Sequence, residues 1–177
     1  MKTNTFAHEV LFRRTQNHDI SALPAIERSA GRAFLALPDL AWISSDDGVP
    51  EAVHREWAER GHSWVAEHGQ QLVGFMLAQP LDDALFIAEI SVHQSWQGRG
   101  IGQQFLQFIA DYAREQHYPA LTLTTFKAVP WNAPFYARQG FIILDDSELE
   151  SGLAGKRDKE TAQGLPRELR CAMRREL

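Results

Sequence analysis

The sequence predicts a mixed α/β (α+β) fold, with a mostly antiparallel central sheet of six or seven strands flanked by about four helices. Three observations lead there. The apolar pattern switches between a helical period and strict alternation along the chain. Three strand-like runs crowd between Ser63 and Val92, close enough for an antiparallel meander. The run from Leu85 to Phe126 reads as a strand, a helix and another strand.

The elements follow in order. Val10 to Arg13 is the first strand. From Asp19 to Phe34, Ile20, Leu23, Ile26, Ala30 and Phe34 recur at three- and four-residue spacings, which predicts an amphipathic helix. Ala36 to Pro50 holds Pro38, Asp46, Asp47, Gly48 and Pro50 and reads as a loop. A second helix runs from about Glu51 to Arg60, stopped by Gly61. The meander is Ser63 to Glu67, Gln71 to Ala78 and Leu85 to Val92, punctuated by His68-Gly69 and by Pro80 to Asp83. The third helix opens at a glycine-rich turn, Gln97 to Gly102, and carries Ile101, Phe105, Phe108, Ile109 and Tyr112 on one face. It ends at His117 to Pro119. Ala120 to Phe126 alternates Leu121 and Leu123 with Thr122 and Thr124 and predicts a strand. Asn132 stands at the N-cap of a short helix to about Arg138, with Pro134 in its first turn and Gly140 at its end. Phe141 to Leu144 is a strand. Residues 145–168 are polar and hold Gly152, Gly155, Gly164 and Pro166, so they read as a long loop, with a last strand at Leu169 to Met173.

Composition bounds the function. A chain of 177 residues, 44% hydrophobic and 23% charged, is expected to form one soluble domain over 1–177. A net charge of −5 supplies no global field for nucleic acid or an anionic membrane, and no apolar run is long enough to cross a bilayer. Met1 to Phe6 lacks an apolar signal-peptide core, and a single cysteine, Cys171, supports neither an internal disulfide nor a cysteine metal site. A cytoplasmic protein is expected. Cys171 alternates with Leu169 and Met173, the pattern of a packed thiol rather than a nucleophile.

The most informative stretch is Ile90 to Gly102. A strand feeds a turn that opens a helix, where free N–H groups and the positive end of the helix dipole suit a pyrophosphate. Glycines at 98, 100 and 102 let a ligand reach the backbone, and Arg99 adds charge. The turn is not a P-loop, because Gln103 and Gln104 follow Gly102 where Lys and Ser or Thr are required. It is not a dinucleotide fingerprint either, because position 103 is Gln and no first parallel strand precedes it. The pattern Gln-x-x-Gly-x-Gly, from Gln97 through Gly100 to Gly102, resembles the acyl-CoA-binding signature of the GCN5-related N-acetyltransferase (GNAT) family. A second segment, Pro130 to Phe141, begins 28 residues after Gly102 and resembles that family's Asn, Tyr and Gly-Phe segment in Asn132, Tyr136 and Gly140-Phe141. Asn132 and Tyr136 are four apart, hence on one helix face. Each has a local reading too, Asn132 as a plain N-cap and Tyr136 as a core aromatic. The resemblance covers about residues 10 to 144. Two departures stand out: position 94 is Gln where such proteins often have proline, and 145–168 is unusually long and polar.

The resemblance implies a GNAT-like acyl-CoA N-acyltransferase fold and direct transfer of an acetyl group from acetyl-CoA to a primary amine, with no metal. The amine belongs to a small molecule, a peptide N-terminus or a protein lysine. It implies that backbone amides of Gln97, Gly98, Arg99, Gly100, Ile101 and Gly102 hold the pyrophosphate, that Ile90, Ser91 and Val92 line the pantetheine arm, and that Asn132 contacts the coenzyme. Tyr136 is implied as the proton donor to the leaving thiolate. A lysine-like amine costs roughly 4.6 kcal/mol to deprotonate at pH 7 and an α-amino group about 1.1, so the need for a base depends on the acceptor. Glu89 is the preferred base; its other reading is a solvated or ion-paired carboxylate, and His93 or a water chain are the alternatives. The acidic and aromatic loop holding Asp39, Trp42, Asp46 and Asp47 reads either as a solvated turn or as a receiver of a cationic amine. Proteins of this family often dimerise, and no residue here decides that. Two readings from other classes stay open: a non-catalytic CoA-binding or sensing module, and a nucleotide-binding protein.

Overall fold

Seven strands form one sheet in the order β1-β2-β3-β4-β5-β7-β6 in the computed structural model, which describes residues 9–45 and 47–177. The strands are β1 Leu11–Arg14, β2 Ser63–His68, β3 Gln71–Leu81, β4 Ala84–Val92, β5 Ala120–Phe126, β6 Ile142–Leu144 and β7 Arg170–Glu176. The α-helices are α1 Leu23–Gly31, α2 Glu51–Glu59, α3 Ile101–Glu115, α4 Ala133–Arg138 and α5 Ser151–Ala162. This is the expected mixed fold with a largely antiparallel sheet. The chain divides into two compact units, Met1–Leu77 with Glu89–Phe105, and Ala78–Ala88 with Leu106–Leu177.

In the first unit β1 pairs antiparallel with β2, and β2 with β3, with a bulge between Ala66 and Glu67. Trp64, Val65, Val73, Phe75 and Met76 are buried there with Ile20, Leu23 and Phe105, and the Phe12 and Phe105 rings lie 4.8 Å apart. Arg13 on β1 bridges Asp19 at 2.7 Å and Glu67 at 2.8 Å. The helix expected over Asp19 to Phe34 is broken into three: a 3₁₀ segment Asn17–Ala22, α1, and a second 3₁₀ segment Arg32–Ala36. The first break falls between Ala22 and Leu23, where Pro24 occupies the opening turn of α1, while at the start of the 3₁₀ segment the Asp19 carboxylate accepts from Gln16 N at 2.7 Å. The expected loop 36–50 contains a 3₁₀ segment, Pro38–Ser45, in which Ser44 and Ser45 hydroxyls donate back to Ala41 and Trp42 carbonyls. Glu27 of α1 accepts from Val49 N at 2.8 Å, so close to Gly48 (φ +69°) that a Cβ there would sit 2.5 Å from the Glu27 carboxylate.

His54 on α2 is fully buried, edge-on to Phe75 with ring centroids 5.0 Å apart, and neither of its nitrogens has a hydrogen-bond partner. Burial pushes its pKa below 6.5, with the Glu51 charge opposing. The folded state therefore resists a proton that the unfolded chain binds freely below about pH 6.5. Stability is full above that pH and falls as pH drops through it. His62 is shifted the same way, by burial and then by Arg60 and Arg14. Replacing His54 by Leu is expected to raise the melting temperature at pH 5.5 more than at pH 7.5, because it removes a buried polar group and one of these protonation penalties. Thermal melts of both proteins across pH 5.5 to 7.5 measure it; parallel curves would disprove it.

In the second unit the β4–β5 ladder is parallel and two rungs long, Leu85 with Leu121 and Phe86 with Thr122. On its other edge β5 pairs with β7 over seven residues, and β7 pairs with β6. Pro80, expected to break the third strand, lies inside β3; the last β2 partner is at Leu77, so its missing N–H interrupts no β2–β3 ladder bond. The largest correction concerns 145–168. It is not a long loop: it holds a 3₁₀ turn Asp146–Glu148, the twelve-residue α5, and a 3₁₀ turn Arg167–Leu169 leading into β7. The cap of α5 comes from Asp82 in the β3–β4 turn, whose carboxylate accepts from Gly152 N at 2.8 Å and Leu153 N at 3.0 Å. No local pattern records that cap. Only Leu153 is a large apolar residue buried on this helix, joining Phe86 and Ala172, so hydrophobic periodicity gives no helical signal.

Candidate active site

The glycine-rich turn is built by short-range bonds. His93 caps a 3₁₀ turn, Gln94–Trp96, its Nδ1 accepting from Ser95 N at 3.1 Å while its carbonyl accepts from Trp96 N at 2.8 Å. That bond engages Nδ1 of the imidazole in the turn. Gln94 N donates to Ser29 Oγ of α1 at 2.9 Å. The Gln97 side chain donates from Nε2 to Val92 O at 3.0 Å, folding the turn back onto the end of β4. The first bond of α3 runs from Gln104 N to Gly100 O at 3.0 Å, so the amides before it have no acceptor inside the helix.

Gly98 and Gly100 have φ of +77° and +81°, a region that residues with a Cβ rarely adopt. A Cβ at Gly98 would meet nothing within 4 Å, and one at Gly100 only Gln104 Nε2 at 3.9 Å. The space on the side-chain side of both glycines is thus open. Gln97, Gly98, Arg99 and Gly100 are exposed, Gly102 is half-buried, and the Ile101 side chain is buried, so Ile101 offers its main chain alone. On β4, Glu89, Ile90 and Val92 are half-buried and Ser91 is buried. Strand β3 approaches so closely that a Cβ on Gly74 would lie 2.8 Å from Ser91 O.

Sequence reasoning missed the surroundings of Arg99. Its guanidinium lies 4.7 Å from the Trp96 ring centroid, and Trp96 in turn stacks at 4.7 Å on His68. These three line a cavity of about 530 Å³ with Glu9, Val10, Ile101 and Gln104. The three-residue spacing of Trp96 and Arg99 is the only trace of it in the sequence.

The other group of expected residues lies in the second unit. Asn132 stands at the N-cap position of α4, but its side chain makes no capping bond; Nδ2 donates to Trp131 O at 3.2 Å. The plain N-cap reading therefore fails, and the half-buried carboxamide is left for another use. Tyr136 N donates to Asn132 O at 3.0 Å, which puts the two one helical turn apart. The Tyr136 ring is buried between Phe135 and Phe141, at centroid distances of 5.3 and 5.7 Å. Gly140, with φ +94°, ends the helix and turns Phe141 back to donate from its N–H to Tyr136 O at 3.1 Å.

The remaining candidates separate cleanly. Cys171 is buried and burial pushes its thiol pKa up, against Lys127, Arg157 and Arg170, which makes it a packed thiol. Asp39, Trp42 and Asp47 are exposed, and Asp46 lies outside the described residues. Met1 to Phe6 lie outside them as well. Among the described residues no three His, Cys, Asp or Glu side chains are grouped to hold a metal, and no helix is long and apolar enough to cross a membrane.

Comparison with known proteins bears on both segments. The family model described as "Acetyltransferase (GNAT) family" matches residues 31–141, which include the glycine turn, Asn132, Tyr136 and Phe141. N-acetyltransferase family 8 member 2 of Rattus norvegicus is 28% identical over 106 residues, 52% of this chain and 47% of that protein. N-acetyltransferase 8 of the same species is 31% identical over 135 residues, 66% of this chain and 61% of that protein. The chain thus spans less than two thirds of the length of either relative. N-acetylglutamate synthase from Neisseria gonorrhoeae, solved with coenzyme A and N-acetyl-glutamate, superposes with a TM-score of 0.71 at 19% identity, over 96% of this chain and 35% of that one. The likeness at that identity establishes the fold, and the family match, covering more than half of the residues, establishes the lineage: the chain belongs to the acetyltransferase (GNAT) family.

Proposed function

We infer that the protein is an acetyl-CoA-dependent N-acetyltransferase, which moves the acetyl group directly to a primary amine without a metal. The observation that carries this is the exposed glycine turn at the start of α3, with Gly98 and Gly100 at positive φ and no intrahelical acceptor for the amides ahead of Gln104. Family membership and the coenzyme A in the N. gonorrhoeae structure supply the identity of the ligand for such a turn. Amides of Gln97 to Gly102 and the positive end of α3 bind the pyrophosphate, with Arg99 as the nearby cation. Ile90, Ser91 and Val92 offer main-chain groups to the pantetheine arm, and Asn132 its carboxamide.

Acetyl-CoA supplies the activated thioester carbonyl. The protein's part is to hold that carbonyl, stabilise the charge that develops on it, and manage two protons. A main-chain N–H near Ile90 takes the oxyanion role in this reading. Tyr136 donates to the departing thiolate; an ordinary thiol at about 8.5 and tyrosine at about 10 make that transfer slightly uphill, within reach of a site that stabilises the phenolate. Glu89 takes the proton from an acceptor amine of lysine-like basicity. His93, whose Nδ1 accepts from Ser95 N, and a water chain are the alternatives to Glu89.

The catalytic reading is preferred to a CoA-sensing module because Tyr136 and Asn132 are both retained on one α4 face. The same reading places the reaction in the cytoplasm, in line with a single buried cysteine, and allows a homodimer. Incubation with acetyl-CoA and a panel of primary amines, following free thiol, tests the reaction. Amine-dependent thiol release is expected; none with any amine, alongside measurable acetyl-CoA binding, would leave the sensing module instead.

A further inference from the structure

The amides of the glycine-rich turn divide at one residue. Those of residues 93 to 97 all have acceptors: His93 N donates to Val73 O at 2.8 Å, Gln94 N to Ser29 Oγ at 2.9 Å, Ser95 N to His93 Nδ1 at 3.1 Å, Trp96 N to His93 O at 2.8 Å and Gln97 N to Gln94 O at 3.3 Å. The amides of residues 98 to 103 have none among the described residues, and Gln104 N is the next to bond. The first set builds the turn, and the second keeps its donors. Val73 belongs to β3, and His93 and Gln94 to the turn itself. Ser29 alone among these acceptors belongs to a helix, α1. All of these residues fall within the first compact unit.

The α1 side of that bond is fixed. Leu23 and Ile26 anchor the helix in the core, and Ser29 follows Ile26 by three residues, half-buried at the edge of the same face. A serine inside a helix commonly gives its proton to the carbonyl four residues back. Ser29 makes no such bond to Ala25 among the described residues and accepts from Gln94 instead. Position 94 is where the sequence departs from the family resemblance, with Gln where such proteins often have proline, and proline has no N–H to donate. The backbone here suits proline all the same. His93 has ψ 138°, in the extended range that a residue before proline adopts, and position 94 opens a 3₁₀ turn, where a missing N–H is tolerated. What glutamine adds at this position is therefore the N–H that reaches Ser29.

We propose that Ser29 is a positioning residue for the coenzyme: by holding Gln94 N it fixes the direction in which the turn leaves β4, and with it the amides of Gly98 to Gly102 that bind the pyrophosphate. This rests on the acetyl-CoA reading of the turn. The bond is exposed, so water replaces it when it is lost and the fold loses little. A turn released from α1 must instead be ordered as the pyrophosphate binds, and affinity falls. The thioester and the acceptor do not touch Ser29, so the effect lies in the KM of acetyl-CoA and not in kcat.

The test is a calorimetric titration of coenzyme A into the wild type, Ser29→Ala, Ser29→Thr, Gln94→Pro and the double variant Ser29→Ala, Gln94→Pro. Ser29→Ala is expected to weaken binding about fivefold, the worth of one exposed hydrogen bond, with the melting temperature changed by less than about 2 °C. Ser29→Thr keeps the hydroxyl and is expected to stay within about twofold of the wild type. In the Gln94→Pro protein, where no N–H is left to hold, Ser29→Ala is expected to cost less than about twofold, which identifies the bond rather than the serine as the source of the effect. With an amine that the wild type acetylates, the KM of acetyl-CoA rises by the same factor in Ser29→Ala and kcat stays level. Equal affinity in wild type and Ser29→Ala, an undiminished loss in the Gln94→Pro background, or a fall in kcat alone would overturn the proposal. Amide hydrogen exchange reads the tie without coenzyme: faster exchange at Gln94 in Ser29→Ala supports it, and unchanged exchange refutes it. A wild type that fails to bind coenzyme A at all would fell the acetyl-CoA reading and the proposal with it, whereas binding that ignores Ser29 fells the proposal alone.

Discussion

Tyr136→Phe is expected to lower kcat between tenfold and a hundredfold while acetyl-CoA binds as before. The ring is held by Phe135 and Phe141 at 5.3 and 5.7 Å, and phenylalanine keeps both contacts, so the change removes a hydroxyl and leaves the packing. General acid catalysis is typically worth about a hundredfold or more, but a thiolate leaves without full protonation, which puts the expected loss at the low end. The loss should grow as pH rises, since the leaving group then has less help from bulk protons. Steady-state kinetics with a calorimetric titration of acetyl-CoA measure both quantities. Equal turnover by the two proteins would remove Tyr136 from the proton-donor role.

Gly100→Val is expected to weaken acetyl-CoA binding by about 2 kcal/mol, roughly thirtyfold, with a smaller loss of stability. Two effects combine. A β-branched residue at φ +81° is strained by about 1 to 2 kcal/mol and pulls the turn toward another conformation. Its side chain also adds bulk to an exposed turn that glycine leaves bare, where only Gln104 Nε2 comes within 4 Å of a Cβ. Gly69→Ala supplies the control. Gly69 has φ +61° and equally open surroundings, but lies in the β2–β3 turn, so it should lose stability alone. A Gly100→Val protein that binds acetyl-CoA with wild-type affinity would show that the pyrophosphate does not use this turn.

These expectations concern residues that were legible in the sequence, and the reason is local. Gln97 to Gly102 and Asn132 to Phe141 are each shaped by neighbours in the chain, through bonds spanning five residues or fewer, such as Gln97 to Val92 and Phe141 to Tyr136. Strand alternation and the glycine stops at 61, 69 and 140 are local in the same sense, and the structure places them as the pattern predicts. The stack of His68, Trp96 and Arg99 was not legible, because it joins the end of β2 to a turn 28 residues later. The side-chain choice at Asn132 was half legible: its position follows from the pattern, whereas the absence of a capping bond does not.

Helix α5 marks the boundary. Its cap is an aspartate 70 residues upstream, its inward face is charged, and its role in the fold depends on Phe86, Thr124 and Arg170 being brought beneath it. By itself the sequence determined the mixed sheet, its seven strands in chain order, four of its five α-helices, and the backbone-presenting turn that suits a pyrophosphate, because each rests on hydrophobic period or on glycine stereochemistry within one short segment. Tertiary structure alone decided what stands at the seam of β4 and β5, because a charged side chain acquires a meaning only from the partner that folding does or does not bring to it.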